Sequence, residues 1–155
     1  MNRNRTIKSY AMRLNSVPNV IFPLLCPVRE YDWIETWRCE MIYTKSGFAE
    51  LDCVFKTKFP NEDAEETWVV SKYEYPHEIE FVRVNSFRSI RYSIKLVSLD
   101  SGLTQATWQQ IITGLNNAGD NFVADYKDEA YENLMKKLEN MINHFLNTGE
   151  MLKST

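Results

Sequence analysis

The chain has 155 residues, 44% of them apolar and 25% charged, with a formal net charge of -3. That length suits one domain, residues 1–155, with a core of its own. The acidic balance argues against nucleic acid as a partner, since phosphate binding needs a concentrated basic face.

Arg3, Arg5, Lys8 and Arg13 all precede the first acid, Glu30, and are expected on a solvated strand face. That strand is TIKSYAMRLNS (6–16), which alternates loosely and ends in Asn-Ser. Ser16 is a helix-cap candidate and Pro18 suits a first turn, so a short helix is expected over 18–25. Pro27 restricts Cys26 and ends that helix; a second short helix is expected over 28–34. The apolar run VPNVIFPLLCPV (17–28) is too short to cross a bilayer and carries three prolines. Neither a membrane span nor a signal peptide is expected.

From Trp37 the period changes to two. WRCEMIY (37–43) sets Trp37, Cys39, Met41 and Tyr43 on one face. After a turn at Thr44 to Gly47, ELDCVFKTKF (50–59) places Leu51, Cys53, Phe55 and Thr57 together. PNEDAEE (60–66) is expected to be a solvated acidic loop without metal-ligand spacing. TWVVSKYEY (67–75) is apolar on both faces, so its inner side is open. IEFVRV (79–84) groups Ile79, Phe81 and Arg83, and SIRYSIKLVSL (89–99) groups Ile90, Tyr92, Ile94 and Leu96. Asp100-Ser101-Gly102 is a hairpin turn signal. LTQATWQQIITGL (103–115) follows, with Ala106, Trp108 and Gln110 on one side.

GLNNAG (114–119) breaks the strand pattern. One long helix is then expected, with Asp120 as cap, Gly149 as stop, and Phe122, Tyr126, Ala130, Leu134, Leu138, Met141 or Ile142, and Phe145 on its apolar face. Short links between consecutive strands mean an antiparallel meander. The expected class is α+β: a seven-stranded curved antiparallel sheet around a long C-terminal helix, with two short helices between the first two strands.

VIFPLLCPVREYDWI (20–34), GFAELDCVFKTKF, TWVVSKYEYPHEIEFVRV and GLTQATWQQ resemble stretches of the START-like or SRPBCC superfamily, which includes polyketide cyclase/dehydrase-like proteins. The resemblance covers about residues 7–146 and implies the helix-grip fold. It also implies a cavity between sheet and long helix that holds a small apolar or amphipathic molecule. An enzymatic role of the cyclase/dehydrase or hydrolase kind, and a chaperone-activator-like interaction role, are the alternatives, because one fold serves many functions.

The cavity candidates are Phe22, Leu25, Trp37, Cys39, Met41, Phe55, Phe81, Arg83, Tyr92, Trp108, Gln110, Tyr126 and Leu134. Arg83 either snorkels to water at a strand end or meets an acidic head group with a two-pronged contact. Tyr92, Trp108, Gln110 and Tyr126 each join an apolar body to a hydrogen-bonding tip. Glu40, Glu50, Asp52, Glu78 and Glu80 fall on the outer face, which disfavours a catalytic carboxylate pair. His77 is expected to be exposed and His144 half-buried.

Cys26, Cys39 and Cys53 form no C-x-x-C pair and have no zinc-type spacing to either histidine. They are expected to be reduced, buried thiols of a cytoplasmic protein with no metal and no cofactor. Cys26, at a helix end, is a poor nucleophile candidate. The partner expected is a small ligand, with a homodimer through the Trp68 to Tyr73 strand as a further option.

Overall fold

The computed structural model describes residues 4–60, 62 and 64–154; Arg3 and Asp63 lie outside the described residues. Seven strands form one antiparallel sheet: β1 (Arg5–Leu14), β2 (Glu40–Tyr43), β3 (Val54–Thr57), β4 (Glu66–Glu74), β5 (Glu78–Val84), β6 (Arg88–Ser98) and β7 (Thr104–Gly114). Their order is β1-β7-β6-β5-β4-β3-β2, so the first strand closes onto the last and the meander runs outward from there. The helices are α1 (Pro18–Ile21), α2 (Pro27–Glu30), α3 (Asn117–Asp125) and α4 (Asp128–Thr148).

Prolines shape the segment between β1 and β2. Pro18 opens α1, a 3-10 turn over Phe22–Leu25 follows, and Pro27 opens α2. Each proline sits where its missing amide hydrogen costs nothing. The cap of α1 is Val17, which makes no side-chain cap bond, so Ser16 does not serve as expected. The expected second helix at 28–34 contracts to α2 with a looser turn behind it. That turn is pinned by indoles: Trp33 Nε1 donates to Leu24 O at 2.8 Å, and Trp37 Nε1 to Pro27 O at 2.8 Å. Trp37 is therefore held by a side-chain bond ahead of β2, whereas the two-residue period had placed it within the strand.

β3 is also shorter than the alternation suggested. Asp52 adopts a left-handed backbone (φ 68), which ends any strand there and leaves Leu51 exposed. Glu50, expected on the outer face of a strand, instead organises the loop. It accepts from Thr44 Oγ1 at 2.9 Å, Lys45 N at 3.1 Å and Ser46 N at 2.7 Å, and these bonds, those from Ser46 foremost, hold its pKa at about 2.

β4 settles its own inner face. Glu66, Trp68 and Val70 are buried, and the register shifts between Val70 and Lys72, after which Ser71 and Tyr73 are exposed. β6 and β7 show the cleanest alternation, with Ile90, Tyr92, Ile94 and Leu96 buried opposite Ala106, Trp108, Gln110 and Ile112. Stacked and edge-on rings fill the interior between them: Phe55 on Trp68 at 5.2 Å, Trp68 on Phe81 at 5.6 Å, and Tyr92 on Trp108 at 5.8 Å.

The expected single C-terminal helix is two helices. Asn116 Oδ1 accepts from Gly119 N at 3.1 Å and caps α3, displacing Asp120 from that role. Gly119 permits close approach, because a Cβ there would lie 1.8 Å from Phe87 O in the β5–β6 turn. Tyr126 leaves the helical conformation (ψ 101), and α4 restarts after Lys127. The break resets the helical phase, so α4 buries Tyr131, Met135, Met141 and Ile142 while Ala130 and Leu134 turn outward. Gly149 (φ 74) ends α4 as expected.

The polar side of α4 covers the free edge of β1. Glu139 accepts from Arg13 N at 2.7 Å and from Tyr10 Oη at 2.9 Å. Asn143 accepts from Asn15 N at 2.9 Å and donates to Arg13 O at 3.0 Å. Edge groups that would otherwise pair with another chain are thus occupied.

Candidate ligand cavity

A cavity of about 400 Å3 lies between the inner face of β5, β6 and β7 and the α3–α4 corner. The sheet contributes Arg83, Arg88, Ile90, Gln110 and Ile112; the helical side contributes Phe122, Tyr126 and Leu134. Strand alternation aims Arg83, Arg88 and Gln110 inward, since each shares a face with buried apolar neighbours. The helix break places Tyr126 at the corner, where its ring lies 5.3 Å from Phe122 and 6.3 Å from Tyr131.

Four charges meet at one side of this space. Arg83 Nε donates to Glu66 Oε1 at 2.9 Å, and its Nη2 donates to the same oxygen. Arg88 Nε reaches Glu66 Oε2 at 3.4 Å, and Arg88 Nη2 donates to Glu62 Oε1 at 3.2 Å. Burial pushes the Glu66 carboxyl up, but the two guanidinium groups outweigh it and hold its pKa below the usual carboxylate range. Arg83 is 8% exposed and its guanidinium carbon sits 4.2 Å from the Trp68 ring centre. It therefore neither snorkels to water nor offers its fork to a ligand: the two-pronged partner is Glu66. The acidic loop expected to be solvated supplies this pair, with Glu66 wholly buried at the start of β4.

Tyr92, Trp108 and Tyr131 are buried in the core and do not line this cavity. Burial pushes the Tyr92 hydroxyl well up, while Arg83 and Gln110 beside it pull the other way. Tyr131 Oη donates to Trp108 O at 3.2 Å. Trp108 Nε1 is buried without a hydrogen-bond partner among the described residues.

Glu30, the last residue of α2, is half-buried and lies within electrostatic reach of Arg83 and Tyr92. Desolvation raises its pKa well above the carboxylate range, with Arg83 opposing. Its charge is felt in turn by Tyr92, Cys26 and Cys39.

The other expected cavity residues distribute as follows. Phe22 lines a separate pocket of about 380 Å3 with Phe48, Tyr73 and Tyr75, its ring edge-on to both tyrosines at 5.2 and 5.3 Å. Leu25, Phe55, Phe81 and Trp37 are buried in the core, and Cys39 and Met41 pack half-buried against it. Leu134 reaches the cavity mouth but is 47% exposed. Burial pushes all three thiols up, and Cys26 Sγ accepts from Ala49 N at 3.1 Å, which suits a structural role. Among the described residues no three His, Cys, Asp or Glu side chains are arranged to hold a metal. No helix among them is long and apolar enough to cross a membrane. The lining residues absent from the expected cavity set are Glu62, Phe87, Arg88, Ile90, Ile112 and Phe122, and the buried Glu66 beside them was missed as well. A usable signal existed for two: Glu66 has the parity of Trp68 and Val70, and Arg88 that of Ile90 and Tyr92.

No protein-family model matches the sequence, and no curated protein matches it. Solved structures do match. Truncated norcoclaurine synthase from Thalictrum flavum superposes with a TM-score of 0.67 at 9% identity, over 92% of this chain and 96% of that one. A protein from Mycobacterium smegmatis gives 0.64 at 12% identity, over 94% and 96%. Ara h 8.0201 gives 0.62 at 10% identity, over 90% and 93%. Identities this low establish shared architecture only, and that architecture is the helix-grip fold, a curved seven-stranded antiparallel sheet with a long C-terminal helix.

Proposed function

We propose that the protein binds a small, mostly apolar molecule with a polar group in the cavity between its sheet and the α3–α4 corner. One observation carries this reading: a space of about 400 Å3 whose apolar walls, Ile90, Ile112 and Phe122, face the polar tips of Gln110 and Tyr126. That volume lies within the range of small-molecule sites, and a few oriented polar groups in an apolar setting are what such sites require. The charges beside it are balanced, two guanidinium groups against two carboxylates, so the cavity holds no spare cation for an acidic ligand. A norcoclaurine synthase of the same fold has been crystallised with a transition-state analogue, which supports small-molecule occupancy as a use of this architecture.

Native mass spectrometry against a library of apolar and amphipathic compounds tests the proposal. Retention of a defined adduct that is lost on Gln110→Leu or Ile112→Trp is the expected result; uniformly empty protein contradicts it. The second reading, a cyclase/dehydrase- or hydrolase-type enzyme, is favoured by the ionisable groups at the cavity, Glu62, Arg83 and Arg88. It requires turnover of the captured compound.

A further inference from the structure

Two side-chain atoms of the interior are buried without a hydrogen-bond partner among the described residues, Trp108 Nε1 and Glu62 Oε2. Trp108 belongs to the core and does not line the cavity, so its donor bears on no ligand there. Glu62 does line it, together with Arg83, Arg88, Gln110 and Tyr126. Its two carboxylate oxygens differ. Oε1 accepts from Arg88 Nη2 at 3.2 Å and lies 3.6 Å from Arg83 Nη2. Oε2 is shielded from solvent and accepts from no described residue. The side chain as a whole is 27% exposed, so the carboxylate stands at the edge of the cavity with one oxygen turned from water. A buried acceptor left unpaired is costly, and a donor delivered to it recovers that cost.

The charged members of the wall decide which polar group fits. A carboxylate only accepts and a guanidinium only donates. Nη1 of Arg83 and Nη1 of Arg88 donate to no described residue. An uncharged carbonyl can meet one of them but leaves Glu62 Oε2 unpaired. A ligand carboxylate meets like charge at Glu62 and Glu66, and an ammonium meets it at Arg83 and Arg88. A hydroxyl is neutral and both donates and accepts at a single atom, so it answers Oε2 and a guanidinium N–H together. Gln110 and Tyr126 also donate and accept, and so select none of these classes over another. We propose that the ligand carries a hydroxyl group, as an alcohol or a phenol, which donates its hydrogen bond to Glu62 Oε2. The inference rests on the cavity reading above and specifies its ligand class.

The test compares 2-naphthol with 2-methylnaphthalene and 2-methoxynaphthalene. The methyl compound keeps the shape without the polar atom, and the methoxy compound keeps the acceptor oxygen without the donor. Dissociation constants are measured for wild type, Glu62→Ala and Glu62→Gln, with amide shifts at Ile90, Ile112 and Phe122 locating the bound compound. Wild type should prefer 2-naphthol to both others about tenfold. Glu62→Ala should erase that preference, and Glu62→Gln, whose amide oxygen is a neutral acceptor, should reduce it to about threefold. Should Glu62→Ala fail to fold, the drop in Glu62→Gln decides. A preference unchanged in the variants, or a wild type that binds all three compounds alike, overturns the proposal. If the shifts still fall at Ile90, Ile112 and Phe122, the cavity reading survives that result. A wild type that binds none of the three overturns both.

Discussion

Arg83 on β5 and Glu66 on β4 are locked together inside the sheet, with both Nε and Nη2 of the arginine on one carboxylate oxygen. Their α-carbons are not register partners, since Arg83 lies opposite Trp68. The bond therefore runs diagonally across the inner face, with the Trp68 ring packed under the guanidinium. Removing one partner strands a buried charge. Glu66→Gln should destabilise the fold by about 3 kcal/mol, seen as a lowered urea midpoint. The double variant Glu66→Gln, Arg83→Met should recover part of that loss; strict additivity would show that the two residues act independently.

Two carboxyl groups in the same interior should respond to pH in opposite senses. Glu66 has a depressed pKa, so its contribution is present above the unfolded carboxylate value of about 4.3 and is lost as pH falls through its folded pKa. Glu30 has a raised pKa, so the unfolded chain ionises first and Glu30 erodes stability as pH rises above about 4.3. Glu30→Gln should match wild type near pH 4 and be the more stable of the two at pH 8. Glu66→Gln should show its full deficit at neutral pH and a shrinking one in acid. Urea unfolding across that range measures both, and parallel curves would refute the assignment.

The cover on the β1 edge is testable residue by residue. Glu139→Ala and Asn143→Ala each remove acceptors for main-chain amides and should cost about 1 kcal/mol. Amide exchange should accelerate at Arg13 in the first variant and at Asn15 in the second. Unaltered exchange at these two positions would mean that α4 does not protect the edge.

Gly119→Ala should be among the most damaging small substitutions in the chain. Its added methyl would meet the Phe87 carbonyl oxygen at 1.8 Å, a main-chain atom that cannot swing aside. α3 would have to lift from the β5–β6 turn, at a cost of more than about 2 kcal/mol by thermal or urea unfolding. Because Phe122 on that helix lines the cavity, ligand affinity should fall as well.

The sheet was legible where one face is buried and the other wet. β5, β6 and β7 alternate in sequence as they do in burial, and Tyr92, Trp108 and Gln110 fall on the inner face as the pattern implies. β2 and β3 were overextended because side-chain bonds from Trp37 and Glu50 hold segments that carry a strand-like period without pairing. The helix break at Tyr126 was invisible, since Phe122, Tyr126, Ala130 and Leu134 keep an unbroken step of four across it. Glu66 was lost among the loop acids, although its parity with Trp68 marked it as inward. Glu30 sits on a four-residue helix, too short for a period to show which way its side chain points.

The central claim is that a small ligand enters between the sheet and the α3–α4 corner, and amide chemical shifts of 15N-labelled protein report on it directly. On titration with the strongest binder from the compound library, saturable shifts should concentrate at Arg88, Ile90, Gln110, Ile112, Phe122 and Tyr126. Shifts confined to Phe22, Phe48, Tyr73 and Tyr75 would place binding in the other pocket and contradict the account.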